Sequence, residues 1–412
     1  MKLLLQKITL IVVITMAMST FIQSARAVQP LTESESLRLG FARPELAELS
    51  HARVEEARAD ALETSRWINP TLEYSRDNSR NNAGIREQTW QLSQPVDFSG
   101  RRNLKRDAGA QRIIATEAEA RHVRADRTLE IRRSFFQLLL HEQQLKALDT
   151  WMKRLVEVER VVGKLRNAGE VSGYEVRRLA RERQAAEMLR AEKNTELEQV
   201  REQFAAMLEI EVAASEGLVG NLLPDLPSGL EALLVKLDTQ HDLEALRARA
   251  VAADLDGRAA ARGWIPEVTL GMGAKRSDNG LEHETLTSFT AAIPLPIFDR
   301  QQLGQRRAMA QAMAARAEYS LTRNHAEGQL RGLHRQVTQL INLAERFRGT
   351  HVQSDDLVRI ADAAYRAGES TILELLDAYK GALETETSLL DIEWKARAAS
   401  IELDKLTGGH HK

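Results

Sequence analysis

From Phe98 to Asn167 the chain runs 70 residues without a proline, with apolar residues at heptad spacing and charges between them. Ile131, Leu138, Leu145 and Met152 lie seven apart, and Leu148, Leu155 and Val162 form a second row of the same spacing. On a helix such rows make one stripe that seals against another helix, as in a coiled coil. At ~1.5 Å per residue a single helix over this stretch would be roughly 100 Å long. The pattern returns from Phe298 to Arg366, with rows Leu333, Leu340, Phe347 and Leu330, Val337, Ala344, His351, Val358. Ser99 and Asp299 are the predicted N-caps of these rods. Gly169 and Gly368, each free to take positive φ, end them. Returning helices are predicted from Gly173, capped by Ser172, to about Ile210, and from Thr371 to Leu406.

Elsewhere the period is two. Ile68 to Arg76 and Gln88 to Val96 carry Leu72 and Tyr74, then Trp90, Leu92 and Val96, on one face, and the polar loop Asp77 to Gly84 joins them as a hairpin over 68–97. A second hairpin spans 266–297. There Val268, Leu270, Met272 and Ala274 alternate with Thr269, Gly271, Gly273 and Lys275, and Phe289, Ala291, Ile293 and Leu295 alternate with Ser288, Thr290 and Ala292. Strands of about ten residues with one apolar face suit a transmembrane β-strand. A soluble hairpin laid on a helix is the alternative. Shorter helices are expected after a Thr32/Glu35 capping box, from Pro44 to Arg66, and from Asp242 to Arg262.

The two sets of elements come in the same order. Trp67-Ile68-Asn69-Pro70 matches Trp264-Ile265-Pro266, Pro95 to Ser99 matches Leu295 to Asp299, and Ala168-Gly169-Glu170 matches Ala367-Gly368-Glu369, at offsets of 197 to 200 residues. A tandem duplication accounts for this. The first repeat is 28–220, with a long helical hairpin over 99–210. The second is 221–412, with its helical hairpin over 299–406. All nine prolines lie at or before Pro95 or between Pro224 and Pro296, outside the rods they would break.

Composition narrows the function. Lys2 and Lys7, the apolar run Ile8 to Met18 and the small-x-small Ala25-Arg26-Ala27 form a secretory signal peptide over 1–27, cleaved after Ala27. With no cysteine there is no disulfide framework and no thiolate chemistry. Charged residues are 28% of the chain with signs interspersed and a net charge of −2, the composition of solvated helical faces. Arg101, Arg102, Lys105 and Arg106 open a basic run, but Asp107, Glu117 and Glu119 interleave with it, so nucleic acid is not an expected partner. The mature chain holds no apolar run of membrane length, so a membrane role must use strands. No nucleophile constellation, phosphate loop or dinucleotide fingerprint occurs. The ten histidines are scattered, with only His410-His411 adjacent. The chain reads as no enzyme, with no cofactor and no metal site.

Four strands in lipid would leave edge N–H and C=O groups unsatisfied, and closing a barrel takes at least about eight strands. Two copies would supply eight strands and three would supply twelve.

The repeat layout, the Trp67 and Trp264 segments, Pro294-Leu295-Pro296-Ile297-Phe298-Asp299-Arg300 and the two Gly-Glu tips together resemble the TolC-like outer membrane factors over essentially the whole mature chain. Trp264 to Leu270, with Gly273-Ala274-Lys275-Arg276, is similar to the heavy-metal branch of the cobalt-zinc-cadmium resistance type. The resemblance implies a mainly α fold with a small β part. Long antiparallel helices would close as an α-barrel, and four transmembrane strands per protomer would join a shared, trimeric 12-stranded β-barrel. It implies a homotrimer in outer membrane lipid, a passive conduit for divalent heavy-metal cations such as cobalt, zinc, cadmium or nickel. Its partners would be a periplasmic adaptor (membrane fusion) protein and an inner-membrane pump of the RND type. Multidrug export or type I secretion is the alternative within the family, and a soluble periplasmic coiled-coil adaptor or scaffold the alternative outside it.

The same resemblance assigns residues. Glu374 and Asp377, three apart and so on one helical face, would line the pore constriction. Tyr365 and Glu175 match a tip latch whose neighbouring arginine is here Ser370. The adaptor-docking tips would comprise Gly169, Glu170 and Ser172, and Gly368, Glu369 and Ser370.

Overall fold

The computed structural model describes residues 30–79, 86–209, 217–278 and 282–408. The expected signal peptide with Ala25 and Ala27, most of the first hairpin loop, Ile210 and His410-His411 lie outside them. In chain order the elements are β1 (Leu31–Thr32), α1 (Glu33–Gly40), α2 (Pro44–Ser65), β2 (Thr71–Asn78), β3 (Arg86–Val96), α3 (Arg101–Asn167) and α4 (Gly173–Leu208). Then follow β4 (Leu218–Val219), α5 (Leu230–Leu237), α6 (His241–Ala261), β5 (Val268–Asp278), β6 (His283–Ala292), α7 (Gln302–Arg366) and α8 (Ile372–Leu406). Two compact units result. One joins residues up to Arg43 with Arg127–Pro227 and Leu333–Leu403; the other joins Pro44–Asp126, Ser228–Gly332 and the residues from Asp404.

The second unit contains the sheet, antiparallel throughout, in the order β2-β3-β5-β6. Its register aligns Leu72, Leu92, Met272 and Phe289 in one row and Tyr74, Trp90, Ala274 and Thr287 in the next. The apolar residues therefore share a face, and that face is bare: Phe289 is 80% exposed and Leu72 64%. The opposite face carries Glu73, Gln91, Gly273 and Ser288 in one row, then Thr71, Ser93, Gly271 and Thr290. The glycines are needed there. A Cβ on Gly273 would stand 2.7 Å from the Trp90 carbonyl oxygen, and one on Gly271 2.4 Å from the Thr290 hydroxyl, which accepts from Gln91 Nε2 at 3.0 Å.

β6 stops at Ala292, short of the expected Ile293 and Leu295. Pro294 and Pro296 follow, and a residue without an N–H cannot extend the ladder. The rods likewise begin later than expected. Ser99 Oγ accepts from Arg101 N at 3.2 Å, but the first intrahelical acceptor is the carbonyl of Gly100, at φ 72°. Asp299 accepts from Gln301 N at 2.7 Å, and Gln301, at φ 62°, opens α7. The helical ladder starts one residue after the expected cap in the first rod and two residues after it in the second.

Helices α2, α3, α6 and α7 of this unit meet through small residues. Ala245, Ala248, Ala252 and Ala259 of α6 are buried, and a Cβ on Gly109 would stand 2.7 Å from that of Ala61. Ion pairs Arg58–Glu117, Arg112–Asp256, Arg249–Glu119 and Arg316–Asp254 tie these helices at the surface.

The first unit has two apolar clusters. In one, Ile131, Phe135, Phe136 and Leu139 of α3 pack with Leu197, Phe204 and Leu208 of α4, Leu222 and Ile401. Arg397 donates to the carbonyls of Asn221, Leu222 and Leu223 at 2.6–3.1 Å and lies 4.5 Å over the Phe136 ring, which pins the linker on this cluster. Beside it β1 pairs with β4 in parallel. The other cluster gathers the predicted heptad residues Leu148, Leu155, Val162 and Val358 with Leu179, Leu375 and Tyr379.

Replacing Gly273 by valine is expected to destabilise the protein by about 1–3 kcal/mol, since its β-carbon has no room. Gly328→Ala, on α7 with nothing within 4 Å, is expected to stabilise by about 0.5–1 kcal/mol. Thermal unfolding followed by circular dichroism distinguishes the two.

Candidate functional site at the helical tips

The two rod ends are built alike. Glu170 N–H donates to the Leu165 carbonyl at 2.9 Å and Gly169 N–H to that of Arg166 at 3.0 Å, with Gly169 at φ 79°. Glu369 donates to Ala364 at 2.9 Å and Gly368 to Tyr365 at 3.1 Å, with Gly368 at φ 73°. This paired closure satisfies the last helical carbonyls and needs a residue that tolerates the left-handed region.

The outgoing helices match as well. Ser172 Oγ accepts from Glu175 N at 3.2 Å while the Glu175 carboxylate accepts from Ser172 N at 2.9 Å. Thr371 and Glu374 do the same at 3.4 and 2.8 Å. Glu175 and Glu374 thus hold the same position in the two tips, each closing a capping box. Both retain carboxylate surface: Glu175 is half-buried and Glu374 exposed. Asp377, one turn on, is exposed and has no hydrogen-bond or ion-pair partner among the described residues. Its counterpart one repeat earlier is Arg178, so the pair of acids belongs to the second tip alone.

Tyr365 is buried beneath the tip, and its hydroxyl has no hydrogen-bond partner among the described residues. Burial, and then the negative charge of Glu175, push its pKa up. Tyr365 and Glu175 therefore sense each other electrostatically without a hydrogen bond. Ser370 Oγ is also buried and unpartnered. Among the described residues no three His, Cys, Asp or Glu side chains are grouped to hold a metal ion.

A second tyrosine environment was not evident from sequence. The Tyr379 hydroxyl donates to Asp362 Oδ1 at 3.2 Å, Asp362 pairs with Arg366 at 3.0 Å, and Arg154 lies 5.9 Å over the Tyr379 ring. Burial, then the charge and hydrogen bond of Asp362, push the Tyr379 pKa up to about 12. These residues line a surface cleft with Lys153 and Asp355. Tyr379 and Asp362 sit on different helices, so only the pairing of α7 with α8 brings them together.

Comparison with known proteins adds to this geometry. Residues 235–409 match the model of the outer membrane efflux protein family. The chain carries an outer membrane efflux protein domain. It is 25% identical over 348 residues to the cobalt-zinc-cadmium resistance protein CzcC of Cupriavidus metallidurans, covering 82% of this chain and 81% of that one. It is 25% identical over 303 residues to the nickel-cobalt-cadmium resistance protein NccC of Alcaligenes xylosoxydans xylosoxydans, covering 69% and 65%. The fold is that of CusC, known from crystal structures, with a TM-score of 0.77 at 19% identity over 92% of each chain. The matched model describes outer membrane efflux proteins, and these two relatives are named for metal resistance. No described helix is long and apolar enough to cross a membrane.

Two outcomes follow at the tips. Ser172→Ala and Thr371→Ala should each cost about 1 kcal/mol, read as faster hydrogen exchange in the first turns of α4 and α8. Tyr379→Phe should cost on the order of 1 kcal/mol at neutral pH. The folded pKa of Tyr379 is raised, so its stabilisation is complete below the unfolded value of about 10 and is lost as pH rises through about 12. The gap in denaturant midpoint between wild type and Tyr379→Phe should therefore narrow over that interval.

Proposed function

We propose that three copies of this chain close one 12-stranded barrel and form the outer membrane conduit of a tripartite efflux system for divalent heavy-metal cations. The observation that carries the assembly is the sheet itself: four strands with a bare apolar face and unpaired edges at β2 and β6. Such a sheet is one arc of a barrel, because lipid offers its edge groups no partners. The relatives named for cobalt, zinc, cadmium and nickel resistance support a metal cargo. In this assembly the tips at Gly169-Glu170-Ser172 and Gly368-Glu369-Ser370 meet a periplasmic adaptor, and an inner-membrane RND pump supplies the energy. The cargo passes through and is not retained, so no high-affinity ligand cage is required.

At the periplasmic end, Glu374 and Asp377 from three copies place six carboxylates at the constriction. They raise the local cation concentration and repel anions. Because the Glu374 carboxylate also caps α8, its mutation alone confounds charge with local folding. Asp377 has no such second task.

Single-channel recordings in planar bilayers test the gate. Asp377→Asn is expected to lower the cation-over-anion permeability ratio, and Glu374→Gln with Asp377→Asn to lower it further, toward that of an uncharged pore. An unchanged ratio in the double variant refutes the assignment. For cargo, a deletion strain complemented with the gene should regain growth on cobalt, zinc or cadmium salts. Recovery only on organic toxins would replace the metal cargo with multidrug export.

A further inference from the structure

At the end of the sheet where β2 and β5 begin and β3 ends, a cleft of about 290 Å³ opens between the C-terminus of α2 and the first turns of α3. Arg66, Arg101, Arg102 and Lys105 line it, together with Trp67 and Ile68. Its three acids are already engaged. Glu63 lies 3.7 Å from Arg66, Glu267 is held by Arg101 at 3.0 Å, and Asp97 accepts from Ser99 and from the Arg102 backbone N–H. Arg102 and Lys105 are left without a carboxylate partner among the described residues. They are three apart on α3 and so share a face. The Arg102 guanidinium lies 3.9 Å over the Trp67 ring, which fixes its plane and leaves its N–H edge free to donate. The backbone donors of Arg101 and Arg102 are taken by Ser99 and Asp97, so the site is made by side chains and not by the helix terminus.

The cleft's walls are apolar on the outward side. Trp67 and Ile68 each keep over half of their surface exposed, as do Phe98 and Trp264 at the same end of the sheet. Aromatic rings at the end of a lipid-facing strand lie at the headgroup level, with cations beside them. We propose that this cleft binds the phosphate group of a glycerophospholipid in the periplasmic leaflet. Arg102 and Lys105 take the phosphate oxygens, and Trp67 and Ile68 pack on the start of the acyl chains. The proposal rests on the sheet being set in the outer membrane and goes beyond the conduit role. A free phosphate ion shares the first contact but not the second.

Native mass spectrometry of the detergent-solubilised full-length oligomer tests it, with added phosphatidylglycerol as the probe and diacylglycerol of the same chains as the phosphate-free control. Lys105→Gln, at an exposed residue with no partner, leaves the fold intact and should cut retained phosphatidylglycerol ~fivefold; Arg102→Gln with Lys105→Gln should cut it by about tenfold or more. Diacylglycerol retention should be equal in all proteins, and Arg346→Gln, outside the cleft, should match wild type. Millimolar inorganic phosphate should not displace the lipid. Undiminished phosphatidylglycerol on the double variant overturns the proposal, and so does displacement by inorganic phosphate, which would make the cleft a site for a free anion. Bilayer conductance of the same preparations separates failures: channels that conduct without lipid discrimination sink only the lipid site, whereas absence of channels also sinks the conduit.

Discussion

Backbone hydrogen bonding in a medium without water is the constraint on which the rest depends. β2 and β6 each turn one row of N–H and C=O groups outward with no further described strand to receive them. Water would satisfy those groups; hydrocarbon would not. The bare face of Leu72, Leu92, Met272 and Phe289 excludes water as the intended neighbour, since removing so much apolar surface from it is favourable. In the proposed assembly both demands are met at once, by identical sheets joined edge to edge. Gly271 and Gly273 serve the polar face within one copy: they let Gln91 reach Thr290 over the backbone, where a β-carbon would have no room.

The tips show how a duplicated motif can be given two chemistries. Both use the same double hydrogen bond at a left-handed glycine and the same capping box, so backbone geometry is common to the two. Difference enters through side chains that geometry does not fix. Asp377 faces solvent where the first repeat has Arg178, and buried Tyr365 feels the negative charge of Glu175 where the first repeat has Arg166. The negative charge is concentrated on one of the two tips, which the symmetry of the fold alone would not produce.

Much of this was legible in the sequence because it repeats at long range. Heptad rows such as Leu148, Leu155 and Val162 mark a buried seam, and they are buried. The alternation of Val268 to Ala274 gave the strand and its faces. What could not be seen falls into three physical classes. β1 and β4 are two residues each, too short to show a period. The exact ends of α3, α7 and β6 depend on positive φ at Gly100 and Gln301 and on two prolines, all local details that shift a boundary by a few residues. Finally, Tyr379 with Asp362 is a contact between side chains of different helices, which no local pattern marks, whereas Glu374 with Thr371 follows the Thr-x-x-Glu capping pattern at 371–374.

The interleaving of the two units bears on biogenesis. Each unit draws on both halves of the sequence, and the first takes residues as far apart as Leu31 and Ile401 into one cluster. Neither can close when only the first repeat has left the ribosome, and contacts of such sequence separation form slowly. The newly made chain stays open until its last helix arrives, which is the state a secretion channel accepts and also the state a periplasmic protease would attack.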